Sequence, residues 1–387
     1  MKSPATTPAR AEIVVDLDAL RHNVRTLKER VEGTGLMVVV KADGYGHGML
    51  PVARAAREAG ADWLGVAVLD EALALREAGD EGPLLCWLAV PGEDYRPAVE
   101  NDVDVTAYTV PELDEIRAAA RAAGRIARVQ LKIDTGLSRG GSTPEAWPDL
   151  VAAALAAETA GEVRVTGVWS HFACSDEPEH PANDAQEQVF RWAVDLAERA
   201  GLRPEVRHLA NSAAALSRPS SWFDLVRCGI AAYGLTPMPE VAGSEELGLV
   251  PAMTVRSMLA VVKGVPAGSG VSYGHTYVVP HDTTVGVVPI GYGDGIPRHG
   301  SSKAPLLVAG QVRRIAGRVC MDQIVVDLGG DDAAPGDPVV LFGPGKDGEP
   351  TAQDWADACG TISYEIVTRI GGRMQRRYVG VTEGATG

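Results

Sequence analysis

Cysteine pairs, an excess of basic charge and long apolar runs are all missing from this sequence, and each absence closes off a class of protein. The five cysteines (Cys86, Cys174, Cys228, Cys320, Cys359) are odd in number, widely spaced and without a CxxC pair. That pattern suits reduced thiols in a cytoplasmic protein, and it offers neither a disulfide framework nor a structural metal site. Acidic residues outnumber basic ones, 51 to 36, for a formal net charge of -15. Such a balance argues against a nucleic-acid or anionic-membrane partner, although a small phosphate site can still be locally positive. The first ten residues, MKSPATTPAR, contain no apolar core for export, and no stretch approaches the length of a membrane span. Low-complexity segments and runs of like charge are absent too.

What remains is a chain of 387 residues with 45% hydrophobic residues, enough for a large barrel and a smaller second domain. Asp16 can cap a helix in which Leu17, Leu20, Val24, Leu27 and Val31 recur at helical spacing. Strand and helix patterns then alternate. Strands are predicted at 36–40, 63–68, 84–90, 103–108, 127–134, 163–172, 205–210 and 225–230, with helices between most of them, including a short one at 212–216. About eight strands in regular alternation favour a closed TIM barrel over an open doubly wound sheet. From about Val250 the pattern changes to β-branched runs broken by glycine and proline: 253–262, 271–279, 284–290, 304–307, 312–315, 323–328 and 339–342. These read as antiparallel strands. A last helix is predicted at 351–358, before ISYEIVTRIG. The fold class is therefore an α/β TIM barrel followed by a predominantly antiparallel β C-terminal domain. The boundaries are 1–245 and 246–387, with the first dozen or so residues candidates for the β domain and 242–249 as the linker.

The first barrel strand ends in the segment LMVVVKADGYGHG. Met37, Val38, Val39 and Val40 show no polar alternation, as expected for a strand buried on both faces. Lys41 then sits at its C-terminal end, against apolar walls. Burial disfavours the ammonium form, and a desolvated lysine amine is what Schiff-base chemistry requires. A strand-end lysine by itself is more often a surface residue that extends its charge into water. Polar residues also gather at the ends of the other barrel strands, where barrel enzymes place their chemistry. Lys132, Asp134 and Arg139 lie in the segment that closes the fifth strand, His171 in that of the sixth, His208, Asn211 and Ser212 in that of the seventh, and Arg227 in that of the eighth.

The run KADGYGHG resembles the lysine segment of the alanine racemase family, and the resemblance extends from about Ile13 to Tyr378. It implies that Lys41 carries pyridoxal 5'-phosphate and that Tyr45 binds its phosphate, together with Ser212, the amides of Gly229 and Ile230, and Tyr364. His171 and Asn211 are further cofactor contacts by the same resemblance. Arg227 matches the residue facing the pyridine nitrogen, and His208 the residue that orients it. An arginine does not readily release a proton, so the ring is a weaker electron sink than it would be opposite a carboxylate. Arg139 matches the residue near the substrate carboxylate, which a planar guanidinium suits. Lys132 matches a position that is often carbamylated in relatives.

The C-terminal half is similar to the family in VSYGHTY, VCMDQ and GYGDGIPR. Tyr273 thereby becomes the second catalytic base. Cys320, Met321 and Asp322 become the segment that meets a neighbouring subunit's site, and Tyr292 becomes a residue of the substrate entrance. Ser363 departs from the asparagine of many relatives, next to Tyr364. Inverting a Cα centre through a planar carbanion needs a base on each face. By resemblance Lys41 takes the proton from D-alanine and Tyr273 from L-alanine, in a homodimer with composite sites that supplies D-alanine for peptidoglycan. A tyrosine titrates near about 10 unperturbed, so Arg139, His171 and Arg227 are the neighbours available to make Tyr273 a base. A serine or broad-specificity racemase is the nearest alternative. A barrel-type pyridoxal-phosphate decarboxylase and a non-enzymatic carrier of the cofactor are further ones, and the C-terminal segments argue against both.

Overall fold

The computed structural model describes residues 9–381. The export-signal reading of the N-terminus therefore falls largely outside the described residues. Two compact units emerge. One contains Arg21–Gly44 and Met49–Leu249; the other contains the described residues up to Leu20, the short segment Tyr45–Gly48, and those from Val250 onward.

In the first unit eight parallel strands form one sheet. After β1 (Ala11–Asp16), which belongs to the other unit, they are β2 (Gly35–Val39), β3 (Trp63–Val66), β4 (Leu84–Cys86), β5 (Asp104–Ala107), β6 (Ala127–Lys132), β7 (Val163–Trp169), β8 (Val206–His208) and β9 (Leu225–Cys228). From β2 to β8 each strand pairs with the next in sequence, and β9 returns to pair with β2. Between β8 and β9 the main chain donates from Asp224 N to Arg207 O at 3.1 Å and from Arg227 N to Ala210 O at 3.0 Å, which nearly closes the barrel. Met37 and Val38 of β2 are fully buried, as a strand covered on both faces requires. Local chemistry sets the helices between strands. Thr109 accepts from the Glu112 amide and caps the helix Val110–Ala123, Gly124 ends it at φ 63°, and Leu113, Ile116 and Ala120 form its buried stripe. A cap of this kind stabilises a helix by ~1 kcal/mol, and each buried leucine or isoleucine adds roughly 1.5–3 kcal/mol.

The second unit is built on sheets. β1 lies between β10 (Met253–Met258), antiparallel, and the last strand of the chain, Gln375–Val379, which is parallel to it. β11 (Val261–Val265) belongs to a different, three-stranded sheet. The single strand expected at 253–262 is therefore two strands, and the chain changes sheet at Leu259 and Ala260, whose amides donate to Asp337 O and Val287 O. The strand expected at 271–279 is also corrected. β12 (Gly270–Val271) and β13 (Tyr277–Val278) pair around a tight turn at Tyr273–His275. The remaining strands are β14 (Thr283–Val288), β15 (Pro305–Val308), β16 (Gln311–Arg314), β17 (Ile324–Gly329), β18 (Pro338–Phe342) and β19, the closing strand Gln375–Val379. ISYEIVTRIG forms the helix Ser363–Arg369. No helix among the described residues is long and apolar enough to cross a membrane.

Candidate active site

β2 delivers Lys41 to the barrel mouth, and the chain then makes an unusual turn. Ala42, Asp43 and Gly44 all adopt left-handed conformations, near φ 52°, 53° and 61°, and Tyr45 follows at φ 52°. For non-glycine residues this costs roughly 1–2 kcal/mol each. Hydrogen bonds within the unit offset part of it: the Ala42 amide donates to Glu71 Oε1 at 2.7 Å, and the Met49 amide to Asp43 Oδ1 at 2.9 Å. Glu71 also accepts from the Ala67 amide, so one carboxylate ties the lysine turn to the loop after β3. Strain concentrated beside a reactive side chain is a mark of functional sites.

The mouth is cationic and lined with aromatic rings. Lys41 Nζ lies 5.7 Å from the centre of the Trp87 ring, and burial, followed by the Arg139 charge, lowers its pKa despite the opposing pull of Glu71. Lys132 Nζ sits 4.5 Å from the Trp169 ring centre and 5.2 Å from that of Tyr108. Burial, with Arg227 and Arg139 adding repulsion, brings its pKa down to about 8. Among the described residues Arg139 makes no ion pair and is exposed, so its guanidinium remains available to an anion. Arg227 is 5% exposed and donates to Ser170 O at 2.7 Å, Leu209 O at 3.0 Å, His171 Nδ1 at 3.1 Å and His208 Nδ1 at 3.1 Å. Burial, followed by Arg227, pushes both histidines well below the usual imidazole range, so both are neutral acceptors.

Residues expected at a phosphate divide into two groups. Asn211 caps the helix Ser212–Ser217 through its Oδ1, which also accepts from Ser175 Oγ. Ser212 Oγ accepts from the Gly229 amide at 2.9 Å, so in this structure that amide is turned to the serine. A hydroxyl that accepts in this way keeps its own proton for an anion. Ile230 opens the turn Ile230–Tyr233. In the other unit, Tyr45 and Tyr364 are neighbours, with ring centres 6.3 Å apart, and Ser363 is buried.

The sheet unit also brings its own candidates together. Tyr273 is 71% exposed, at the start of a turn held by Ser272 at φ 62° and His275 at φ 45°. Ser272 Oγ donates to Arg318 O and lies 3.2 Å from Cys320 Sγ. The Tyr292 and Gly293 amides donate to Cys320 O and Met321 O. Arg373 bridges Asp322 and the buried Asp294. Ser272, next to Tyr273, and the Tyr292 and Gly293 amides thus all bond to the segment 318–321, so the exposed Tyr273, Tyr292 and Met321 are carried by one hydrogen-bonded group of loops, an arrangement for which their order in sequence gives no direct signal. Glu71, Trp87, Tyr108 and Trp169 shape the barrel mouth and were not apparent as site residues from sequence.

An eight-stranded α/β barrel with amines and guanidinium groups at its C-terminal rim, joined to a sheet unit, defines a two-domain barrel enzyme. The N-terminal domain model of alanine racemase matches residues 15–237, and the C-terminal domain model matches 252–378. An alanine racemase from Streptomyces coelicolor is 59% identical over 380 residues, covering 97% of each chain. One from Frankia casuarinae is 56% identical, covering 97% of this chain and 98% of its own. The crystal structure of alanine racemase from Streptomyces lavendulae superposes with a TM-score of 0.96 at 57% identity, covering 97% of this chain and 99% of that one. The chain belongs to the alanine racemase family.

Proposed function

We propose that this protein interconverts L-alanine and D-alanine in the cytoplasm with pyridoxal 5'-phosphate, supplying D-alanine for peptidoglycan. The observation that carries the proposal is the Lys41 amine, desolvated at the barrel mouth beside the unpaired Arg139. The donor set fits the cofactor: a lysine of lowered pKa for its aldehyde, the Ser212 hydroxyl for its phosphate, and the buried Arg227 for its ring nitrogen. When bound, pyridoxal 5'-phosphate supplies the sink for the electron pair left as the substrate Cα loses its proton.

The chain's own groups do the rest. A lysine whose pKa burial has lowered can accept a proton at Nζ on one face of the substrate and return it there. Tyr273 Oη of the partner subunit serves the opposite face, in a homodimer whose sites each draw on two chains. Its 71% exposure, beside the exposed Tyr292 and Met321, favours a surface completed by a second copy. Arg227 donates and does not take up a proton, because even with burial lowering it to about 9 it is charged at neutral pH. Arg139 holds the substrate carboxylate. At a pKa of about 8, Lys132 has enough free amine near neutrality to be carbamylated, and the resulting anion would face Arg139.

Separate incubations with L-alanine, D-alanine and each serine enantiomer, followed for enantiomer exchange and released carbon dioxide, test the proposal. Exchange of alanine enantiomers without carbon dioxide is expected. Release of carbon dioxide would establish a decarboxylase instead, and faster exchange of serine would reassign the substrate.

A further inference from the structure

A buried carboxylate, Asp104, lies in the barrel interior and no step of the proposed reaction uses it. It is 1% exposed and accepts from Arg128 Nε at 2.5 Å, Thr166 Oγ1 at 2.5 Å and Gln130 Nε2 at 3.0 Å. Gln130 is fully buried and its Oε1 is 2.7 Å from His208 Nε2, while His208 Nδ1 is 3.1 Å from Arg227 Nη1. The four side chains form one continuous line from the barrel interior to its mouth.

We propose that Asp104 and Gln130 are positioning residues, which fix the tautomer of His208 and through it the orientation of Arg227. The polarity of every link follows from the two ends. A carboxylate only accepts, so the Gln130 amide must turn its NH2 to Asp104 and its oxygen to His208. That oxygen only accepts, so the proton of the neutral His208 ring is on Nε2. Nδ1 is then bare and receives a hydrogen from Arg227, which can only donate. Were the amide reversed, His208 would carry its proton on Nδ1 and meet Arg227 donor to donor. Trp169, stacked on the His208 ring at an interplanar angle of 4°, holds the ring in plane.

The backbone is shaped for this line. In the β6–β7 ladder Val129 pairs with Val165 but Gln130 pairs with Gly167, so Thr166 is an extra residue on β7. The bulge directs the Thr166 hydroxyl to Asp104. A Cβ at position 167 would stand 2.7 Å from both Cδ and Oε1 of Gln130, so only glycine leaves room for the amide. Both devices act on the pair Asp104–Gln130 and not on the barrel mouth itself.

The effect on the reaction rests on Arg227 facing the cofactor ring; the tautomer does not, so the two are tested separately. Nitrogen-15 spectra of histidine-labelled holoenzyme, with His208 identified by its loss in His208→Phe, read the tautomer directly. Wild type is expected to show a protonated Nε2 and a bare Nδ1. Asp104→Asn, which frees the amide to reverse, and Gly167→Ala, which displaces it while leaving every polar group in place, are each expected to shift His208 toward the other tautomer or to exchange between the two. In those variants kcat for alanine is expected to fall ~10-fold, on the scale of one hydrogen bond to a charged group, with KM little changed. A wild-type proton on Nδ1, or His208 signals unmoved in both variants, overturns the proposal even if only one variant folds. Moved signals with unchanged kcat keep the tautomer assignment and overturn its link to the reaction.

Discussion

Lys132 shows how burial converts one side chain into a pH-dependent term in stability. Its pKa is near 8 in the folded chain against about 10.4 when unfolded. Below pH 8 both states hold the proton and the folded state bears the full cost of a buried ammonium. Between the two values the folded state has released its proton while the unfolded state has not, so the contribution of Lys132 to stability rises with pH there. Lys132→Met, of similar shape, is therefore expected to be more stable than wild type at pH 7 by on the order of 2 kcal/mol, with the gain shrinking toward pH 10. Denaturant unfolding of both proteins in bicarbonate-free buffer reads this; a gain that grows with pH would contradict the burial argument. For Arg227 the expectation concerns chemistry. If Arg227 faces the cofactor's ring nitrogen as proposed, Arg227→Glu puts there a group that can share a proton with it, so more pyruvate per racemisation event is expected. A folded, cofactor-binding Arg227→Glu protein with an unchanged pyruvate ratio would remove Arg227 from that role.

Among the elements, the turn from Lys41 to Gly48 is the most constrained. Gly46 has φ 80°, and a Cβ there would lie 2.3 Å from the Val367 carbonyl oxygen. Main chain cannot yield as a flexible side chain can, so Gly46→Ala is expected to lower the denaturation midpoint by the equivalent of ~2–4 kcal/mol. A shift below ~1 kcal/mol would mean that the turn relaxes more easily than its contacts imply. The glycines of this turn were legible because few other residues reach positive φ. Its left-handed Ala42, Asp43 and Tyr45 were not, since they are held by Glu71 and by packing remote in sequence. The barrel strands were legible for a related reason: parallel strands buried on both faces leave unbroken apolar runs, and β2 ends where such a run ends. Continuity of pattern misled in the sheet unit. A β-branched run reads the same whether it stays in one sheet or changes sheets, as it does at Leu259 and Ala260. The turn at Ser272–His275 was likewise hidden, because only one of its positive-φ residues, Gly274, is a glycine.

At the scale of the whole molecule, the barrel mouth offers a lysine base, and Tyr273, the other candidate base, stands exposed on the sheet unit. Under the proposed shared site, two copies related by a two-fold axis would supply each other's missing base and generate two equivalent sites. Asp104, Gln130 and the bulge at Thr166 were invisible at this scale from sequence, because a line of polar groups across a barrel joins strands far apart in the chain. The same is true of any site completed by a second copy, and mixing two inactive proteins addresses it most directly. Lys41→Ala and Tyr273→Phe each remove one base from both sites of a homodimer. In a mixed dimer one site inherits both lesions and the other neither, so an equal mixture after free subunit exchange is expected to recover roughly a quarter of wild-type racemisation. Verified exchange with no recovered activity would place both bases on one chain and contradict the shared site.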